Sequence, residues 1–175
     1  MKKRLLLLLF PAGLWAQEAD FTKLHLNVSF DTIKEDVIGD VRLNFTCTRC
    51  PDSVFLNGIQ MDYHKVQMDG QEVRYNANDT GIFIPLSRAD LDTHQIDIRY
   101  RCHPRKGIYF IGWDDTLGVS HRQIWTQGQG IDHRHWIPHK DDQTDKVLVD
   151  LEIAFNPAYA VMANGKLQKE PEVKK

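Results

Sequence analysis

Apolar and polar residues alternate along most of the chain, and this period of two is typical of β-strands that bury one face. The first clear example is the segment 24–30, where four apolar residues alternate with three polar ones. The same alternation returns at 41–45, at 96–100 and, over the longest run, at 147–155. These segments predict antiparallel strands with one face on a core and the other in water.

Shorter apolar segments lie between the alternating ones and are separated by turn dipeptides such as Asn57-Gly58, Asp69-Gly70 and Asn164-Gly165. They occupy 53–57, 63–68, 72–75, 82–85, 108–113, 122–126 and 158–163. We count about ten predicted strands and find no helical periodicity. Two one-sided sheets can bury their apolar faces against each other, so the sequence predicts an all-β fold, a saddle-like antiparallel β-sandwich.

Length and composition restrict the class of protein further. A chain of 175 residues is long enough for one domain, and its 42% of apolar residues can build a core. The 26% of charged residues is ordinary for a soluble domain and excludes a wholly disordered chain. Lysine and arginine number 22 against 24 acidic residues, a net charge of −2, so no excess of basic charge favours nucleic acid.

The first residues, MKKRLLLLLFPAGLWAQ, have the pattern of a secretory leader. Three basic residues precede an apolar run that is too short for a stable membrane span. We expect a signal peptide at 1–16, a β domain at 17–170 and a disordered tail at 171–175. The protein would then be exported to the periplasm or the extracellular space. The alternative is an N-terminal anchor that stays uncleaved.

The three cysteines are Cys47, Cys50 and Cys102. In an exported chain, the close pair Cys47 and Cys50 is a candidate disulfide, because no thioredoxin-like βαβ pattern surrounds it. A zinc ribbon would need a second Cys pair, and only Cys102 is left. We therefore assign no metal site and no cofactor to this chain.

The segment 126–146 is the longest stretch without strand pattern, and a loop of this length is usually functional. It contains His133, His135 and His139, which could be read as ligands for zinc or copper. The nearby Trp136 and Pro138 favour packing and turning instead. In the same loop, Gly128 and Gly130 flank Gln129, so the backbone could approach a ligand closely.

The region from 107 onward carries a recognisable set of motifs. Gly107 to Phe110 reads Gly-Ile-Tyr-Phe, and Thr126 to Gln129 reads Thr-Gln-Gly-Gln. An aromatic-Pro turn, Trp136 to Pro138, and an acidic residue, Asp141, follow. With this pattern, the chain resembles the N-terminal domain of M1-family zinc aminopeptidases, the aminopeptidase N and leukotriene A4 hydrolase group.

The resemblance covers about residues 22–170 and is strongest over 107–166. VLVDLEIAF and the segment from Ala163 to Leu167 resemble the next two strands of the family and the Asn-Gly turn that accompanies them.

This resemblance implies a saddle-like sandwich that packs on a thermolysin-like catalytic domain and closes one side of its cleft. Gln129 would project into that cleft and accept hydrogen bonds from the free α-ammonium group of a peptide substrate. A side-chain amide can do so through its carbonyl oxygen. Gln127 and Gly130 would make neighbouring substrate contacts.

The catalytic residues of the same family are missing from the sequence. No histidine is followed by glutamate, so the His-Glu-x-x-His zinc motif is absent, and so is the Gly-x-Met-Glu-Asn segment. We expect no catalysis by this chain alone. Zinc and the catalytic domain would belong to a full-length enzyme, and this chain would be a truncated form or fragment of it. The alternative function is that of an exported β-sandwich for interaction or adhesion.

Overall fold

The structure is a computed structural model that describes residues 19–47, 50–86 and 93–168. The predicted signal peptide 1–16 and tail 171–175 lie outside the described residues. In the described part of the chain, no helix has the length and apolar character needed to cross a membrane.

Eleven strands and one short 3-10 helix, Asp132–His135, make up the secondary structure of the described residues. The strands are β1 (Asp20–Asp31), β2 (Asp36–Thr46), β3 (Ser53–Asn57), β4 (Met61–Met68), β5 (Gln71–Glu72), β6 (Asn76–Asn78), β7 (Gly81–Pro85), β8 (Thr93–Cys102), β9 (Ile108–Ile111), β10 (Gln123–Thr126) and β11 (Leu148–Ala154). Every predicted segment but one contributes to a strand; the exception is 158–163.

The strands form three sheets. The largest has six strands in the order β11-β1-β2-β8-β4-β5, the second has the order β3-β7-β6, and the third is the β9–β10 ribbon. In the large sheet, Leu26 of β1 pairs with Val41 of β2, which pairs with Ile98 of β8. This register places the apolar residues of successive strands on one face, as the period of two predicts.

A single apolar core joins the large sheet to the three-stranded sheet. Leu26, Val41 and Ile98 come from the first, and Leu56 and Ile82 come from the second; all five are at most 2% exposed. Burial on this scale is the main favourable term in folding. The predicted all-β, sandwich-like fold is confirmed.

One strand differs in direction from the prediction. β11 pairs with β1 in parallel, with Leu151 opposite Leu26, whereas the alternation at 147–155 predicts an antiparallel strand. β11 is also more exposed than predicted, since Val149 and Leu151 are 63% and 41% exposed. Alternation records which face each side chain occupies, but it carries no information about strand direction, and here β11 reaches β1 through a long connection.

The last predicted strand is absent from the described residues. The residues from 155 to 168 form turns and irregular structure, although 158–163 is apolar and the family resemblance predicts a strand and an Asn-Gly turn around Ala163 to Leu167. Gly165 does have the left-handed φ of 104° that suits the predicted Asn-Gly turn.

Candidate functional site

The β9–β10 ribbon fixes the point at which the candidate loop begins. The two strands pair from Ile111 opposite Gln123 to Ile108 opposite Thr126. The backbone N–H of Gln127 donates to the carbonyl oxygen of Gly107 at 3.0 Å, which extends the pairing by one residue. The segment Thr126 to Gln129 therefore leaves the ribbon from a hydrogen-bonded position.

The two glycines that flank Gln129 have different reasons to be glycine. A Cβ atom at Gly128 would collide with the imidazole ring of His133, so the backbone passes directly over that ring. Gly130 has open space around it but a φ of 71°, a left-handed conformation that other residues adopt at a cost. The backbone around Gln129 is thus set by a close contact on one side and a turn on the other.

The 3-10 helix that follows is attached to the core through Trp136. This residue is 6% exposed. Its backbone carbonyl oxygen accepts a hydrogen bond of 2.7 Å from the hydroxyl of Tyr100, which is fully buried in β8. The indole N–H of Trp136 donates to Nδ1 of His133 at 3.2 Å. The ring that supports Gly128 is therefore held by the core.

The acidic residue of the motif, Asp141, has a structural role in this loop. Its carboxylate accepts from Nε of Arg134 at 2.7 Å, and its backbone N–H donates to the side-chain oxygen of Asn57 at 3.2 Å. His139 and Asn57 exchange two backbone hydrogen bonds, of 2.8 and 3.0 Å. These contacts attach the far end of the loop to β3.

In the described structure, the surroundings of the loop histidines favour packing over metal binding. Burial lowers the pKa of His139, partly offset by its hydrogen bond to the carbonyl oxygen of Ile137 and by the nearby Asp141 carboxylate, and burial also lowers the pKa of His135. Nδ1 of His133 accepts the indole hydrogen bond described above.

Among the described residues, the one group of three close metal-ligand atoms lies elsewhere, at Cys47, Cys50 and His94.

The predicted substrate-binding residues Gln127, Gln129 and Gly130 are all exposed. A groove of about 260 Å³ lies at the other end of the loop, between β1, β2 and residues 139–149, and its lining includes none of the three. The candidate site is therefore an open surface of this domain. The roles of the three residues remain predictions.

The structure joins Cys47 and Cys50 in a disulfide, whereas Cys102 is a free, buried thiol. Burial raises the pKa of Cys102 to about 12. Sequence reasoning did not single out His94, which lies beside the disulfide. The signal was available, because the alternation of β8 places His94 on the same buried face as Ile96 and Ile98.

Comparison with known proteins identifies the family. The sequence profile of the Peptidase M1 N-terminal domain matches residues 19–175, and the chain belongs to this family. No curated protein sequence matches the chain significantly.

Solved M1 structures share the fold of this chain. Yeast leukotriene A4 (LTA4) hydrolase is 19% identical, with a TM-score of 0.64 over 77% of this chain and 23% of its own. The M1 zinc metallopeptidase from Deinococcus radiodurans is 18% identical, with a TM-score of 0.61 over 78% of this chain and 32% of its own. The chain thus spans a quarter to a third of these relatives.

Proposed function

We propose that this domain recognises the N-terminus of a peptide for an M1-type zinc aminopeptidase and closes one side of its active-site cleft. Gln129 accepts hydrogen bonds from the free α-ammonium group of the substrate. Gln127 and Gly130 contact the substrate beside it. A thermolysin-like catalytic domain, outside this sequence, supplies the zinc ion and the hydrolytic water.

The observation that carries this proposal is the exposed position of Gln129 on a fixed backbone. An exopeptidase gains selectivity when an acceptor for the charged terminus stands at a constant distance from the reacting carbonyl. The contact of Gly128 with His133 and the hydrogen bond from Gln127 to Gly107 hold the backbone in place. The amide oxygen of Gln129 is then available to a partner outside the domain.

Two further observations support a catalytic partner and a peptide substrate. β11, the outermost strand of the large sheet, carries Leu148 and Val149, which are 74% and 63% exposed, and exposed apolar residues of this kind are typical of a surface that another part of a protein covers. The related Deinococcus radiodurans enzyme has been solved as a variant bound to a Tyr-Ser-Ala substrate.

The proposal includes export through the leader 1–16, which would place the activity outside the cytoplasm.

A chimera tests the role of Gln129. This chain replaces the N-terminal domain of the Deinococcus radiodurans M1 metallopeptidase, and kcat/KM is measured on peptides with free N-termini. Gln129→Ala should lower kcat/KM about 10- to 100-fold, the loss expected for a hydrogen bond to a charged group. Gln129→Glu should lower KM, because a carboxylate binds an ammonium group more strongly than an amide does.

The matched control is Gln143→Ala, an exposed glutamine in the same loop, which should leave kcat/KM unchanged. Zinc-loaded chain without a catalytic domain, assayed on aminoacyl chromogenic substrates, should give no turnover. If Gln129→Ala behaved as Gln143→Ala does, Gln129 would have no part in binding the substrate terminus.

A further inference from the structure

Three side chains from two separate parts of the chain meet at one end of the large sheet. Cys47 directly follows β2, Cys50 precedes β3, and His94 is the second residue of β8. The two sulfur atoms and a ring nitrogen of His94 lie within 4.8 Å of one another. This group is independent of the loop at 126–146.

A carboxylate orients the imidazole of His94. The side chain is fully buried and stacks on Phe45, with ring centroids 5.2 Å apart. Its Nδ1 lies 2.9 Å from Oδ2 of Asp69, whose Oδ1 accepts the backbone N–H of Gln95 at 2.8 Å. An ionised carboxylate only accepts hydrogen bonds, so Nδ1 carries a proton, and in the neutral imidazole Nε2 then presents a lone pair.

That lone pair points at sulfur. Among the described residues, the polar contact of Nε2 of His94 is with Sγ of Cys50, at 3.7 Å. In the disulfide, neither sulfur carries a hydrogen atom, so Nε2 has no donor there. A proton on Nε2 would instead meet a sulfur that is only a weak acceptor. A buried polar atom without a good partner is costly, and the disulfide form therefore leaves this nitrogen poorly satisfied.

We infer that, when Cys47 and Cys50 are reduced, their two thiolates and Nε2 of His94 bind one zinc ion. Thiolate and neutral imidazole are the ligands that zinc prefers, and a Cys-x-x-Cys spacing is common in its sites. Two thiolates balance the charge of the ion, which suits a largely buried position. The Asp69 carboxylate on Nδ1 is the outer partner that metal-bound histidines usually have.

The bonding changes are simple. Zinc binding converts two thiols into thiolates and releases two protons to solvent. A disulfide cannot bind the ion in this way until a reductant supplies two electrons and two protons are taken up. Three protein ligands leave one position for water or another ligand. This site is separate from the catalytic zinc of the proposed enzyme and does not depend on it.

Zinc titration of the full chain tests the inference. Chain reduced with a water-soluble phosphine, which takes up the oxygen of water as it reduces the disulfide, is freed of metal by a chelator. It is then titrated with zinc against a competing chelator. The reduced chain should bind one zinc per molecule, and the same chain kept as the disulfide should not. Cobalt in place of zinc should give the thiolate-to-metal charge-transfer absorption of sulfur ligands.

Variants separate this site from incidental binding. Cys47→Ser with Cys50→Ser should abolish tight zinc binding, and Asp69→Asn should weaken it about 10- to 100-fold, since Asp69 orients the imidazole of His94. Cys102→Ala and His64→Asn are the controls and should bind as the unaltered chain does. Cys102 ends β8, eight residues or roughly 26 Å along the strand from His94.

Two results would overturn the inference. The first is zinc binding of equal strength in the reduced and disulfide forms of the unaltered chain, a comparison that needs no variant to fold. The second is a cobalt complex of the reduced chain without sulfur charge-transfer absorption. Because no catalytic domain is present in these titrations, their outcome is independent of the role proposed for Gln129.

Discussion

At the scale of single residues, the candidate site depends on how Gly128 and His133 fit together. The imidazole of His133 occupies the space that a Cβ at Gly128 would need, and the indole of Trp136 holds that ring through its N–H. Gln129, one residue further on, is exposed, and in the proposed function its side chain reaches the substrate only if this backbone conformation is kept. A partly buried residue pair thus fixes the position of an exposed side chain.

Gly128→Ala should destabilise the domain by displacing His133. We expect the free energy of unfolding, measured with urea, to fall by about 1–3 kcal/mol, the usual cost of forcing extra volume into a packed site. Adding His133→Ala should remove the collision, so the double variant should be more stable than the sum of the two single effects by at least ~0.5 kcal/mol. Strict additivity of the two changes would show that the predicted collision does not occur.

At the scale of elements, the 3-10 helix and the segment up to Asp141 act as one attached unit. Its backbone bonds to β3 through Asn57, and the N–H of Ile59 donates to the carbonyl oxygen of Arg134 at 2.9 Å. Burial of His139 in this unit lowers the pKa of its imidazole, mainly by desolvation of the charged form. The loop is long, but its described contacts make it part of the sandwich.

The partly buried His139 should make stability depend on pH. Its pKa is lower in the folded chain than the ordinary value of 6.5, so unfolding takes up a proton in the interval between the two. The contribution of His139 to the free energy of unfolding is complete above about pH 6.5, and it is lost as the pH falls below that value toward the lowered pKa of the folded chain. One such group changes the unfolding free energy by at most ~1.4 kcal/mol per pH unit.

Urea unfolding from about pH 7.5 to about pH 5 checks this expectation. His139→Asn should reduce the slope of unfolding free energy against pH, whatever its effect on stability at neutral pH. His64→Asn, which replaces an exposed histidine of β4, is the control. An unchanged slope in His139→Asn would contradict the assigned role of burial.

At the scale of the whole molecule, the large sheet ends in an apolar edge. β11 is the outermost strand of the described sheet, and its residues Leu148, Val149 and Leu151 are 74%, 63% and 41% exposed. An uncovered apolar edge strand favours association with another chain or domain. In the proposed enzyme, this edge is available to the rest of the polypeptide.

Replacing Leu148 and Leu151 with glutamine should reduce self-association of the isolated domain, measured by sedimentation velocity. The free energy of unfolding should change by no more than about 0.5 kcal/mol per substitution, because both side chains are exposed. Ile33→Gln is the control: Ile33 is 94% exposed, but it lies in the turn between β1 and β2. Equal self-association of all these proteins would mean that the β11 edge is not a contact surface.

Much of the fold follows from local pattern. The alternation in β1, β2 and β8 defines their buried faces, and the glycine-containing turns separate the shorter strands, because side-chain period and turn chemistry are properties of neighbouring residues. The exposed loop with Gln129 could be located in the same way. Its family resemblance was visible in the motifs between 107 and 141.

Tertiary structure decided what depends on residues far apart in the chain. The sequence by itself determined an all-β domain with a polar, glutamine-bearing loop, but it contained no information on the direction of β11, which depends on the route of a long connection. From the sequence, the reason for glycine at position 128 was a close approach to a ligand, whereas the structure shows that its backbone passes over the imidazole of His133. The meeting of Cys47, Cys50 and His94 required the pairing of β2 with β8, since contacts of this kind exist only when distant strands share a register.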